Sequence, residues 1–449
     1  MFRVFRGRSV PRVPRPQSAA YDVVMRIVVL SVAVAALVGA APVAQSPDAR
    51  VRALIDSPKF KQATIFIQSD QDRFVRELIT LTEIPAPPFK EQARAKAYLE
   101  MLRQVGLTDV EMDPEGNVMG VRRGTGPAGG PLLLVNAHLD TVFPEGTDVK
   151  VRRQGTKLMA PGIGDDTRGL ALILALVRTL DAARFTTPGD ILFAGNVGEE
   201  GEGDLRGIKF LLKTGKYKDR IKQVVAIDGN ESNGITRGGL GSRRYRVTFK
   251  GPGGHSYGAF GLVNPAFAMG GAIAKFARLE VPTKPKTTFN VGVVRGGTSI
   301  NSIPAEVSMD VDMRSEACSE LNRLDQEFLA VVGQAVDEEN RTRSTKEGRV
   351  EADPKIIGER PCGETPLDAP IVQAAAAAVK AFGLSPAFSI SSTDANIPMS
   401  LGIPAVTIGR GGPGGRTHSP DEWTDVDPAA NVRNVEMALA TILAVAGGG

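Results

Sequence analysis

Only three histidines occur in this 449-residue chain, and each lies in a short motif suited to chemistry. His138 opens His138-Leu139-Asp140 at the end of an apolar run; His255 follows Gly251-Pro252-Gly253-Gly254; His418 closes the glycine-rich stretch 409–417. Neutral imidazole is the commonest protein metal ligand, and its second ring nitrogen needs an orienting acceptor, which Asp140 could supply. Carboxylates recur in similar places: Asp165-Asp166 after Gly164, Glu199-Glu200 after the run 191–196, and Asp228 in Ala226-Ile227-Asp228-Gly229. An HxD pair or two adjacent acids are, alone, commonplace on solvated turns. Here each acid follows an apolar run or a glycine turn, which an exposed charged face would not show. Two histidines and three carboxylates suit two divalent ions that share one bridging carboxylate. Such a pair, about 3.5–4 Å apart, acidifies a water and polarises a carbonyl. A carboxylate left over beside it serves as general base.

The elements that must position these residues are legible as periodicities. The runs Leu132–Asn136, Ile191–Asn196, Val224–Ile227 and Ala405–Ile408 predict short buried strands, with helices at Gly169–Leu180 and Ile371–Phe382 between them. Residues 69–105 predict two helices, broken by Ile84-Pro85-Ala86-Pro87-Pro88. Strands alternating with helices predict an α/β domain with a mixed, largely parallel sheet, whose ligands collect at the carboxyl ends of strands. From residue 239 to 360 the rhythm changes to strand, helix, strand, strand, helix, strand, an inserted ferredoxin-like α+β unit. The expected division is 45–238 with 361–449 as the catalytic domain and 239–360 as the inserted one. Length agrees, because some 400 residues with 42% apolar content exceed one compact core.

The first 44 residues read as an export signal: a basic start, the apolar stretch Ile27–Val38, then small residues to Ala44, with Met25 a plausible true start. A retained N-terminal membrane anchor is the alternative, although a dozen apolar residues fall short of the ~20 that span a bilayer. This segment holds six arginines against Asp22, so the rest of the chain has 48 basic and 49 acidic residues. The basic balance therefore gives no support for nucleic-acid binding. Cys318 and Cys362 are too few for a disulfide framework or a thiolate metal site, though they could pair after export.

Taken together, the motifs resemble those of the co-catalytic dizinc exopeptidase superfamily of aminoacylase, carboxypeptidase G, succinyl-diaminopimelate desuccinylase and tripeptidase T. The matching segments run from Val135 to Val142, Gly162 to Gly169 and Asn196 to Gly201. They continue with Gly253-Gly254-His255-Ser256, Asn301-Ser302-Ile303-Pro304, Asp312-Met313-Arg314, Thr393-Asp394-Ala395-Asn396 and Thr417 to Glu422. The resemblance implies one zinc on His138, Asp165 and Asp228, and a second on Asp165, Glu200 and His418. Cobalt or manganese is the alternative metal. It further implies Glu199 as general base and Asp140 as the carboxylate orienting His138. The inserted unit becomes a lid that also forms a homodimer, with His255 stabilising the oxyanion, commonly in the partner subunit's site. Arg314 and Asn301 would meet the substrate. Thr167-Arg168 departs from the family, which usually has lysine after the two acids; this is expected to be tolerated, since that side chain is not a ligand. Asp394 reads as a turn residue and Arg410 as part of a glycine loop.

Within the superfamily, aspartate at the Asp228 position is typical of aminopeptidases, dipeptidases and tripeptidases, and glutamate of carboxypeptidases and acylases. The resemblance thus favours an exported peptidase of short peptides, with an N-acyl amino acid hydrolase or glutamate-type carboxypeptidase as the alternative. A non-catalytic metal-binding scaffold is disfavoured because Glu199 and all five ligand positions are intact. A serine hydrolase is disfavoured by the lack of a Gly-x-Ser-x-Gly elbow.

Overall fold

Leu132–His138 and Asp190–Asn196 are buried at every position, as strands covered on both faces must be. They sit in the middle of a nine-stranded sheet in a computed structural model that describes Pro11, residues 45–229 and residues 231–449. Apart from Pro11, the export signal expected over residues 1–44 lies outside the described residues. Asp190–Asn196, Leu132–His138, Ile221–Gly229 and Ala405–Gly409 lie side by side and run parallel. Antiparallel strands flank this core: Thr108–Met112 and Val118–Arg122 on one side, Gly234–Gly239 on the other.

Side chains alternate across the sheet, as the two-residue period requires. Leu133, Val135 and Ala137 enter a large core with the helices Pro58–Thr82, Gly169–Ala182, Pro370–Ala381 and Pro428–Ala446. Leu132 and Leu134 face a smaller core beneath the helix Arg206–Lys213. Gly169–Ala182 is buried all round from Gly169 to Leu180, which its uninterrupted apolar sequence demands. Caps fix the helix starts: the side chains of Ser57, Asn264 and Asp427 each accept a first-turn amide.

The inserted unit has its own core, in which Val247, Phe249, Met309, Met313 and Phe328 are buried. Its four strands stand in the order Thr287–Gly296, Glu306–Ser315, Gly241–Lys250, Glu351–Arg360, all antiparallel. The helices Pro265–Phe276 and Cys318–Thr342 pack on them, which is the ferredoxin-like arrangement. Cys318 and Cys362 form a disulfide that joins the start of the long helix to the chain just past the last strand.

Candidate metal centre

The five ligand-type residues come from five separate segments, and the parallel sheet brings them together. His138 ends its strand and Asp228 is the penultimate residue of Ile221–Gly229. Asp165 sits in the turn entering the helix Gly169–Ala182; Glu200 follows Asp190–Asn196; His418 lies in the loop after Ala405–Gly409. At the meeting point, the two oxygens of Asp165 face two different imidazoles. Oδ1 lies 3.0 Å from His138 Nε2, and Oδ2 lies 3.3 Å from His418 Nε2. The remaining carboxylates complete two groups: Asp228 Oδ1 is 3.9 Å from His138 Nε2, and Glu200 Oε1 is 2.7 Å from His418 Nε2.

Electrostatics show how tightly the acidic groups are concentrated. Burial pushes the carboxyls of Glu199 and Asp228 well above their ordinary range, and the adjacent Glu200 and Asp165 respectively push the same way. Burial by itself lowers the His138 imidazole, but surrounding carboxylates outweigh it and hold the ring well above its usual value. Hydrogen bonds to Asp165 and Glu200 raise His418 to about 10. Too many carboxylates therefore share too little positive charge. Divalent cations on this nitrogen and oxygen donor set supply that charge by displacing protons, so the residues present fit two such ions.

Around the ligands stands a shell that the sequence motifs hinted at without showing its contacts. Asp140 differs from expectation. Its carboxylate accepts the amides of Glu199 at 3.0 Å and Glu200 at 2.8 Å, while His138 Nδ1 meets the Asp140 main-chain carbonyl at 3.0 Å. The carboxylate oxygen is 3.7 Å from that nitrogen, so Asp140 orients the ring through its backbone and the glutamates through its side chain. Asp166, buried next to the bridge, accepts the His138 amide at 3.1 Å and also falls within ligand distance of His138 and Asp228. Among the described residues, Asp165 is the carboxylate in close contact with both imidazoles. Asp394 and Arg410 are likewise more than turn and loop residues. Asp394 is buried and accepts from Asn136 and Asn196 at 2.8 Å each; burial raises its carboxyl to about 6. Arg410 is buried with Nη1 at 3.0 Å from Asp165 Oδ1 and 3.4 Å from Asp228 Oδ1.

Two further residues went unrecognised in the sequence. Glu422 accepts three amides, from Gly162, Gly164 and Asp165, at 3.1, 2.9 and 2.7 Å, and so fixes the loop that presents the bridge. Arg168, expected only to be tolerated, is buried and grips the His418 loop. Its guanidinium donates to Thr424 Oγ1 at 2.5 Å, the Asp425 carbonyl at 2.6 Å, Asn431 Oδ1 at 2.8 Å and the Gly411 carbonyl. Burial lowers its pKa to about 9. The motif containing each residue was visible, but contacts spanning some 250 positions leave no local signal.

The residues expected to meet substrate stand apart. His255 is exposed, its Nδ1 accepting the amides of Tyr257 and Gly258 at 3.2 Å each. Asn301 accepts from Ser299 Oγ at 2.6 Å, and Arg314 donates to Asp312 at 2.8 Å. Among the described residues, none of the three is bonded to the ligand cluster.

Similarity to known proteins agrees with this geometry. Carboxypeptidase G2 of Pseudomonas sp. (strain RS-16) is 26% identical over 301 residues, covering 65% of this chain and 69% of that protein. A tripeptidase structure from Staphylococcus aureus superposes with a TM-score of 0.69 at 21% identity, over 84% of this chain and 99% of that one. A dinuclear metal binding peptidase of the M20 family from Bacillus subtilis gives 0.61 at 17%, over 84% and 98%. At those identities the two structures establish the shared fold. Matched from residue 134 to residue 443, more than half of its length, the chain belongs to peptidase family M20/M25/M40 and is a metal-dependent hydrolase.

Proposed function

We propose that the chain is an exopeptidase acting on short peptides with a free N-terminus, using two divalent ions bridged by Asp165. The observation that carries this reading is the division of the Asp165 carboxylate between His138 and His418. His138, Asp165 and Asp228 would hold one ion, and Asp165, Glu200 and His418 the other, most simply zinc, with cobalt or manganese as substitutes. Bound there, the ions supply a polarised scissile carbonyl and an acidified water. Glu199, buried and raised in pKa, takes the proton of the attacking water and passes it to the leaving amine. Asp140 keeps Glu199 and Glu200 in register by holding both amides.

His255, Asn301 and Arg314 complete the site from the inserted unit of a second copy in a homodimer. The amides of Tyr257 and Gly258 occupy His255 Nδ1, which leaves Nε2 for a developing oxyanion, and Arg314 offers a fork for a terminal carboxylate. Export is part of the same proposal, supported by the basic, apolar and small-residue order of residues 1–44. The Cys318–Cys362 disulfide, of a kind that persists in oxidising compartments, also supports it.

Aspartate at position 228 and the tripeptidase-like fold favour a peptidase. The similarity to carboxypeptidase G2 favours the second reading, hydrolysis of N-acyl amino acids or of a C-terminal glutamate. A panel of free, N-blocked and C-amidated di- and tripeptides decides between them. The peptidase reading expects free N-termini to be required; faster cleavage of N-acyl amino acids replaces it with the second.

A further inference from the structure

The turn that carries Glu199 and Glu200 is held by the inserted unit as well as by its own domain. Arg360 is the last residue of the strand Glu351–Arg360 and is 5% exposed. Its Nη1 lies 2.9 Å from Glu199 Oε1 and 2.8 Å from Ser392 Oγ, while its Nη2 donates to the Glu199 main-chain carbonyl. The neighbouring Glu359 amide donates to both carboxylate oxygens of Asp204, at 3.0 and 3.1 Å. From the adjacent strand Gly241–Lys250, Arg244 Nη1 donates to the Gly201 carbonyl at 3.0 Å. Three points on the turn 199–204 are thus gripped from the root of the inserted unit. The Cys318–Cys362 disulfide ties that root to the long helix, two residues beyond Arg360.

We infer that Arg360 is a positioning residue that aims the Glu199 carboxylate from the root of the inserted unit, so that the base's orientation follows the placement of that unit. A glutamate has three rotatable side-chain bonds, and a base aimed about 1 Å wrong loses much of its effect. The guanidinium removes that freedom because it is planar and anchored on the Glu199 backbone as well as on Oε1. Arg360 engages Oε1 rather than Oε2, so the clamp fixes one carboxylate oxygen and leaves the other outside it. Asp140 holds the amide of the same residue, leaving Glu199 clamped by one group from each unit.

This inference rests on Glu199 being the base, and the test separates the two claims. Glu199→Gln, Arg360→Gln and Arg360→Lys are prepared in the full chain, loaded with zinc, and assayed on the best substrate of the peptide panel, with bound metal counted in each. Arg360→Gln is expected to lower kcat by about 10²-fold, with KM within about threefold of wild type and both ions retained. Arg360→Lys, which keeps a cation but not the planar fork, is expected to recover about tenfold of that loss. Wild-type kcat in Arg360→Gln beside an inactive Glu199→Gln overturns the positioning role and leaves the base in place. An active Glu199→Gln overturns the base itself. Should Arg360→Gln fail to fold or lose metal, a folded, metal-loaded Arg360→Lys decides: reduced kcat at constant KM supports the role, and wild-type kcat overturns it.

Discussion

The metal cluster and the trio on the inserted unit differ in how they are assembled. The cluster draws residues from position 138 to position 418, yet every one lies at or just beyond the carboxyl end of a strand or in the turn entering a helix. The parallel sheet gathers most of them, and the loop between Gly414–Gly415 and Trp423–Asp425 of a separate antiparallel sheet brings in His418. His255, Asn301 and Arg314 all belong to the inserted unit, where Gly254–His255 pairs with Ser302–Ile303, and their hydrogen bonds with Tyr257, Gly258, Ser299 and Asp312 stay within that unit. The first group is pre-formed by folding; the proposed role of the second requires that a second copy dock or the inserted unit move. Mutations in the two groups should therefore report on different steps.

The sharpest separation is expected from Glu199→Gln, which keeps the shape of the base but cannot accept a proton. kcat should fall by about 10²–10⁴ with both ions bound, measured by steady-state kinetics and metal analysis. Loss of an ion would instead make Glu199 a ligand and blur the division between base and cluster. Arg314→Ala comes next, with an expected loss of roughly 10- to 150-fold confined to substrates bearing a free C-terminus. Wild-type cleavage of C-amidated peptides as fast as free ones, with Arg314→Ala unchanged, would remove Arg314 from the site. His255→Ala should lower kcat more than it raises KM, because an oxyanion forms only on the way to the tetrahedral state. Mixing His255→Ala with Glu199→Gln chains should restore part of the activity in hybrid dimers; no recovery would place His255 in its own subunit's site. The smallest effect is expected from Glu422→Ala, which leaves three buried amides near Asp165 without their acceptor. Chemical denaturation should show about 1–3 kcal/mol of lost stability, together with weaker metal binding. Unchanged metal affinity would make Glu422 a purely structural residue.

What the sequence revealed divides along the same line. Strands buried on both faces announce themselves as unbroken apolar runs, so the sheet and the residues at its ends could be read directly, as at Leu132–His138. The helix Arg206–Lys213 is short and escaped notice, and so did Pro428–Ala446. Ligand types were legible because histidine is rare here and each acid follows an apolar run or a glycine turn. Their supports were not. Arg168, Arg410 and Glu422 act through long-range hydrogen bonds to main-chain groups and distant carboxylates, and nothing within a few residues of them marks that use. Asp140 shows the intermediate case. Its proximity to His138 was visible, but its grip on the Glu199 and Glu200 amides depends on which strand lies alongside.

Anomalous diffraction from zinc-loaded crystals tests the central claim most directly, because it locates each ion against the Asp165 carboxylate. Two peaks about 3.5–4 Å apart are expected. One should lie beside Asp165 Oδ1 with His138 and Asp228, the other beside Oδ2 with His418 and Glu200, and Asp165→Ala should lose at least one of them. A single peak in wild type that persists unchanged in Asp165→Ala would contradict the bridged two-ion site.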